Sequence, residues 1–192
     1  DRVYTVKPEY AAVEGSSMYL KAGETLSLQD TLYGLMLASG NDAAVAIAGE
    51  CGGMTAFVGK MNAKAAELGL TDTHFDNPNG LPSDTHYTTA HELAKITAAA
   101  LKDPVFRQIV STKSCTVSGH ALSNHNRLLS MYDGAIGVKT GFTRAAGRCL
   151  VSAAERNGRT IIAVTLNDPN DWNDHMEMLD AGFAQYSEVT LH

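Results

Sequence analysis

The sequence predicts an α/β chain of the α+β kind: a cluster of helices beside an antiparallel sheet that carries a terminal helix. Three observations lead there. Apolar residues recur at helical spacing as far as Val110; from Ser114 the period becomes strand-like; and Asn157-Gly158 joins two β-rich runs that precede one last helical stripe. The helical cluster is expected over about 27–111 and the sheet with its helix over about 112–192.

The first helix is expected from Ser27, with Asp30 three residues on as a capping box and Leu28, Leu32, Leu35 and Met36 on one face. Ser39-Gly40-Asn41 interrupts it. The glycine breaks the period and Asn41 is a good N-cap for the Ala-rich helix that follows, so the triplet forms a tight turn that presents its side chains. A further helix, about Thr55 to Leu68, has Phe57, Met61, Ala65 and Leu68 on one stripe and Gly69 to stop it. Residues 71–87 are dense in Asp, Asn, Pro and Gly and read as a positioned surface loop. Thr89 and Glu92 form a second capping box, opening a helix to about Leu101 with Leu93, Ile96 and Ala100 inward, and Asp103-Pro104 starts a short helix through Val110.

Cys115 to Leu122 reads as a hairpin around Gly119, and Gly134 to Lys139 as a strand ending at a Gly-containing turn. Arg148–Glu155 and Arg159–Leu166 are the two strands joined by Asn157-Gly158. Trp172, Met176, Leu179, Phe183 and Tyr186 describe a helix laid on them.

Composition narrows function. The 192 residues, 44% hydrophobic, can bury one sizeable core. Fifteen Lys and Arg against 21 Asp and Glu leave a net charge of -6 without a basic block, which argues against nucleic acid as a partner. No apolar run approaches bilayer length. Cys51, Cys115 and Cys149 lack metal-type spacing and read as packed thiols, and no metal or cofactor is expected. His74 and His86 fall in the 71–87 loop with no acidic residue at ligand spacing on a shared helix face, so they read as structural.

Two triplets carry chemistry. Ser39-Gly40-Asn41 has the form S-x-N and Lys139-Thr140-Gly141 the form K-T-G; with S-x-x-K these make up the signature of β-lactamases and penicillin-binding proteins. Around them, EGSSMYLKAGE, YGLMLASGNDAAVAIA, LGLTDTHFDNPNGL with HYTTAHELA, NHNRLL and GVKTGFTRAAGRCLVSAA resemble, block by block, the low-molecular-mass D-Ala-D-Ala carboxypeptidases from residue 5 to residue 187.

The resemblance implies a β-lactamase/transpeptidase-like fold, with residues 1–192 forming part of a penicillin-binding catalytic domain. It implies a serine-type D-alanyl-D-alanine carboxypeptidase that removes the terminal D-alanine of peptidoglycan stem peptides through a penicillin-sensitive acyl-enzyme. Ser39 would relay protons, and Asn41 would hold the substrate's peptide group. Lys139 would set a positive charge beside the terminal carboxylate, to which Thr140 would hydrogen-bond. Gly141 would admit the substrate backbone, the Phe142 N–H would be one oxyanion donor, and Thr143 and Arg144 would lie where substrate can be touched. Stem peptide and β-lactam antibiotics are the implied partners, and the cell envelope outside the cytoplasm is the implied location. Peripheral membrane association would run through parts not in this chain.

One departure stands out. Each of the eight lysines has a residue other than Ser three places before it, so S-x-x-K is absent. The expectation is that the chain starts just downstream of the nucleophile helix, with the first strands and central helix of the fold missing; that segment, as a separate chain, is then a candidate partner. Two alternatives stay open: a non-catalytic penicillin-fold module that binds cell-wall peptide, and a β-lactamase. The latter needs a deacylating carboxylate on a loop, where HFDNPNGL instead follows the carboxypeptidase pattern.

Overall fold

The computed structural model describes residues 2–185. β1 (Val3–Thr5) and β2 (Thr25–Ser27) form a small antiparallel ladder with α1 (Pro8–Ala11) between them, and α2 (Leu28–Ala38) leaves directly from β2. Ser27 caps α2: its backbone is extended and its hydroxyl accepts from the Asp30 N–H at 3.0 Å, satisfying one of the helix's orphan donors. The buried face of α2 is Thr31, Gly34 and Leu37. The expected stripe, Leu28, Leu32, Leu35 and Met36, packs on its flanks and is only partly buried.

α3 (Asn41–Glu50) and α4 (Met54–Glu67) follow, and α4 stops at Leu68-Gly69, where the glycine takes φ +68°. The 71–87 loop has one bridge pair, His74 with Tyr87, and leads to α5 (Ala90–Ala100) and α6 (Pro104–Ser111), the latter capped by Asp103. The second capping box is only half realised. Thr89 Oγ1 accepts from the Glu92 N–H at 3.1 Å, but the Glu92 carboxylate is buried and accepts from the Thr71 and Asp72 N–H groups and Thr73 Oγ1, which satisfy the buried carboxylate in place of the cap.

β3 (Ser114–Val117) and β4 (His120–Ser123) form the expected hairpin, with Ser118 and Gly119 both at positive φ. After α7 (Leu128–Met131) come β5 (Ala135–Thr143), β6 (Gly147–Arg156) and β7 (Arg159–Thr165), a three-stranded antiparallel sheet in that order, and then α8 (Asp171–Gln185). Asn157 (φ 52°) and Gly158 (φ 76°) close the β6–β7 hairpin over the Arg156–Arg159 pair, a turn whose twist matches that of the strands.

Adjacent residues of β6 face opposite ways and so separate two layers. Ala153 packs with Val110 of α6 and Val138 of β5, whereas Ala154 packs with Ala163 of β7 and Leu179 of α8. Thus α6 and α8 cover opposite faces of the sheet. A second core, with Tyr4, Met18, Leu26, Leu37, Ala46 and Ile109, lies among β1, β2, α2 and α3, and α6 contributes to both.

Two expectations are corrected. The strand expected to end at Lys139 runs on to Thr143: Lys139 pairs with Val151, Thr140 with Leu150 and Gly141 with Cys149. Pairing with β6 outweighs the glycine as a turn signal, and the chain reverses at 144–146 instead. The three cysteines are free but only partly buried. Tyr186, expected on the terminal stripe, lies outside the described residues.

Candidate active site

One side of the site is the break between α2 and α3. Ser39 ends α2 in the left-handed region, φ 55° and ψ 35°, and Gly40 is extended and precedes the first turn of α3. A side chain at position 40 would have its Cβ 2.7 Å from Asp42 Oδ1 and 3.2 Å from the Met18 N–H nitrogen, so glycine is required by close approach. Asn41 is not the N-cap that its residue type suggests; Gly40 holds that position and Asn41 is the first helical residue. Its amide is used elsewhere: Nδ2 donates to Glu14 O at 2.7 Å and the backbone N–H to Ser16 O at 2.8 Å.

The other side is β5, where Lys139 points back across the gap. Its Nζ donates to Ser39 Oγ, a residue 100 positions earlier, and to Thr140 O at 2.8 Å. Burial penalises the ammonium form and pulls the Lys139 pKa down to about 8. An amine so placed is charged at neutral pH yet close to losing its proton, and its hydroxyl partner can both donate and accept.

Between the two sides lies a cleft of about 800 Å³, and all seven singled-out residues line it: Ser39, Asn41, Lys139, Thr140, Gly141, Phe142 and Thr143. Phe142 is 71% exposed at its rim. Arg144 does not line it and sits in the exposed turn after β5. β5 is an edge of its sheet, so its outer backbone edge is open toward the cleft.

His74 and His86 are structural here. His74 Nδ1 bonds Thr85 O at 2.8 Å and His86 Nδ1 accepts from the Asp76 N–H at 3.1 Å, bracing the loop that brings Asn79, Gly80 and Leu81 to the cleft. Sequence reasoning missed several neighbours. His125 lines the cleft with its pKa lowered by burial and then by the charge of Lys139. Arg148 lines it too, donating bidentate to the buried Asp171, from Nη2 to Oδ1 at 2.7 Å and from Nε to Oδ2 at 3.1 Å, and lying over the Trp172 ring. The available signals were two of the quoted blocks, NHNRLL, which contains His125, and GVKTGFTRAAGRCLVSAA, which contains Arg148. Among the described residues no group of three His, Cys, Asp or Glu is arranged to hold a metal ion.

The model of the peptidase family S11, D-alanyl-D-alanine carboxypeptidase, matches residues 3–170. The chain belongs to the D-alanyl-D-alanine carboxypeptidase family. Similar proteins include a D-alanyl-D-alanine carboxypeptidase of Streptomyces strain K15, 38% identical over 96% of this chain and 72% of its own length. DacB2 of Mycobacterium tuberculosis is 40% identical over 90% of this chain and 63% of its own, and DacF of Bacillus subtilis 38% over 95% and 49%. The chain therefore spans from about half to nearly three quarters of these carboxypeptidases. Among solved structures, a D-alanyl-D-alanine carboxypeptidase of Mycobacterium tuberculosis superposes with TM-score 0.91 at 36% identity, covering 100% of this chain and 77% of that one. The DD-transpeptidase of Streptomyces K15 superposes at 0.89 and 37%, covering 96% and 79%. The helices flanking an antiparallel sheet are thus those of the carboxypeptidase fold.

Proposed function

We propose that this carboxypeptidase cleaves the terminal D-alanine from D-Ala-D-Ala-ended peptidoglycan stem peptides by serine acylation. The serine oxygen attacks the penultimate D-alanine carbonyl, the C–N bond breaks, and free D-alanine leaves with the proton passed to its nitrogen. Water then hydrolyses the ester and regenerates the serine. The S-x-x-K pair is not among the 192 residues, and in this reading it supplies the nucleophile and its lysine from outside them.

The observation that carries this reading is the Lys139 Nζ to Ser39 Oγ contact across the cleft. It makes a route along which a proton moves between the nucleophile's base and the departing amine. Lys139 in its charged form attracts the terminal carboxylate, and Thr140 hydrogen-bonds it. Asn41, anchored by the Nδ2 bond to Glu14 O, holds the substrate's peptide group from the cleft wall. The free edge of β5 at Gly141 receives the substrate as an added strand, and the Phe142 N–H is one oxyanion donor. β-Lactams acylate the same serine. Since the substrate is cell-wall peptide, the protein works in the envelope outside the cytoplasm; among the described residues no helix is long and apolar enough to cross a membrane.

The test uses the full-length protein with its S-x-x-K segment. Incubation with a penicillin followed by intact mass is expected to give a one-to-one adduct, and a D-Ala-D-Ala peptide is expected to release D-alanine. A folded protein that takes up no penicillin is a binding module instead; one that turns penicillin over rapidly and spares the peptide is a β-lactamase.

A further inference from the structure

The residue following the S-x-N turn does not reach the cleft, yet it determines how the turn is held. Asp42 is 1% exposed. Its carboxylate accepts four hydrogen bonds: Oδ2 from Ser17 Oγ at 2.6 Å and the Leu20 N–H at 3.0 Å, Oδ1 from the Met18 N–H at 3.1 Å and the Ala43 N–H at 2.9 Å. All four donors are neutral, and together they offset the cost of burying the charge.

Three of those donors belong to the stretch from Glu14 to Leu20, the same stretch that takes both Asn41 donors, the side chain on Glu14 O and the backbone on Ser16 O. The stretch is therefore a belt around the turn, gripped by Asp42 at one end and by Asn41 at the other. The fit is close. Gly15 takes φ +94°, and a Cβ there would lie 2.5 Å from Asn41 Nδ2.

The belt decides which way the Asn41 carboxamide faces. Glu14 O can only accept, so it takes one Nδ2 hydrogen and fixes the rotation of the carboxamide, leaving the second Nδ2 hydrogen and Oδ1 for other partners at the cleft that Asn41 lines. We propose that Asp42 is a positioning residue for acyl transfer: by clamping the 14–20 belt to the start of α3 it fixes the position and rotation of the Asn41 carboxamide in the cleft wall. The inference rests on the acyl-transfer reading of the site.

An isosteric amide cannot substitute. In Asp42→Asn one oxygen becomes an NH₂ group and meets donors that it cannot accept from, so the belt loosens at 17–20. In the full-length protein the second-order rate of acylation by a fluorescent penicillin is expected to fall about 10- to 100-fold, the scale of a misplaced substrate contact. Ser17→Ala, which removes one donor and keeps the carboxylate, is expected to lose less. Asn41→Ala also slows acylation, and adding Asp42→Asn to it is expected to cost no further rate, because Asp42 acts through Asn41.

A purely structural role gives a different pattern. Asp42→Asn would then lower the melting temperature while the folded protein is acylated at the wild-type rate, or its loss would multiply with that of Asn41→Ala; either result overturns the inference. Should Asp42→Asn not fold, Ser17→Ala and Gly15→Ala, each alone and with Asn41→Ala, carry the same comparison. Wild-type protein that takes up no penicillin removes the acyl-transfer reading and the inference with it, and is recognised before any variant is compared.

Discussion

The two walls of the cleft are held by different forces. The helical wall, Ser39 to Asn41, stands on polar contacts: a buried carboxylate, two backbone carbonyls of an irregular belt, and a glycine where no Cβ fits. The strand wall, Lys139 to Thr143, stands on ladder pairing with β6 and on apolar packing of Val110, Val138 and Ala153 behind it. Side chains on the strand wall are thus free to be chosen for chemistry, whereas on the helical wall nearly every polar atom also supports the geometry. The difference predicts where activity and stability separate on mutation and where they fall together.

Lys139→Met gives the largest effect. Acylation by penicillin is expected to fall about 10²- to 10³-fold, on the scale of losing one electrostatic contact to a developing charge. Stability is expected to hold or rise, because burial disfavours the ammonium in the folded state. The pH dependence has a definite sign. With a folded-state pKa of about 8, below that of a free lysine, the unfolded chain binds the extra proton, so Lys139 makes stability increase as pH rises from about 8 toward about 10.5. Over the same rise the charged form is lost, and acylation declines above about pH 8. A variant that melts several degrees below wild type would mean that the strand wall, too, depends on its polar bonds.

His175 tests the far side of the strand wall. It is fully buried in α8, with Nδ1 2.6 Å from Ser152 Oγ on β6 and Nε2 3.0 Å from Thr165 Oγ1 on β7, and burial pulls its pKa down to about 4. The neutral ring is preferred in the folded protein, so its contribution is complete above the unfolded value of about 6.5 and is lost as pH falls toward about 4, by about 3 kcal/mol in all. Urea unfolding of wild type and His175→Gln across that range measures it: the acid-side slope of the wild type should be steeper. Equal slopes would remove His175 as the source.

Arg148 and Asp171 should be unequal although they form one pair. Asp171 is buried and Arg148 is half exposed, so Arg148→Ala strands a buried carboxylate while Asp171→Ala releases a guanidinium to water. The first is expected to cost about 2 kcal/mol and the second about half of that. Chemical denaturation of both variants settles the order, and the reverse order would show that Asp171 acts mainly at the start of α8.

How much of this was legible depended on the range of the interactions. The Ser27 cap and the Asn157-Gly158 turn are local statements and form where their sequence signals stand; the S-x-N triplet breaks the helix as expected but is capped by Gly40, and K-T-G lies within a strand rather than at its end. What the sequence did not yield is long-range or diverted. Asp42 reaches donors 22 to 25 residues upstream in a stretch with no periodicity. Glu92 leaves its own helix end for a loop, and the end of β5 was misplaced because cross-strand pairing, not the glycine, decides it. Arg148, Asp171 and Trp172 meet only once β6 and α8 are assembled.

The smallest effect compares one substitution in two places. Gly158 and Gly15 both have positive φ, 76° and 94°, so alanine is strained at each. At Gly158, in the hairpin turn far from the cleft, an added Cβ meets nothing within 4 Å, and only the backbone term of about 1 kcal/mol should appear, with acylation unchanged. At Gly15 the added Cβ meets the Asn41 amide as well, so an equal or larger stability loss should come with slower acylation. Melting curves and penicillin acylation of the two variants separate strain that the fold absorbs from strain passed to the site. If Gly158→Ala slowed acylation as much as Gly15→Ala, the two walls would not be independent, and the distinction between a chemically free strand and a structurally committed turn would fail.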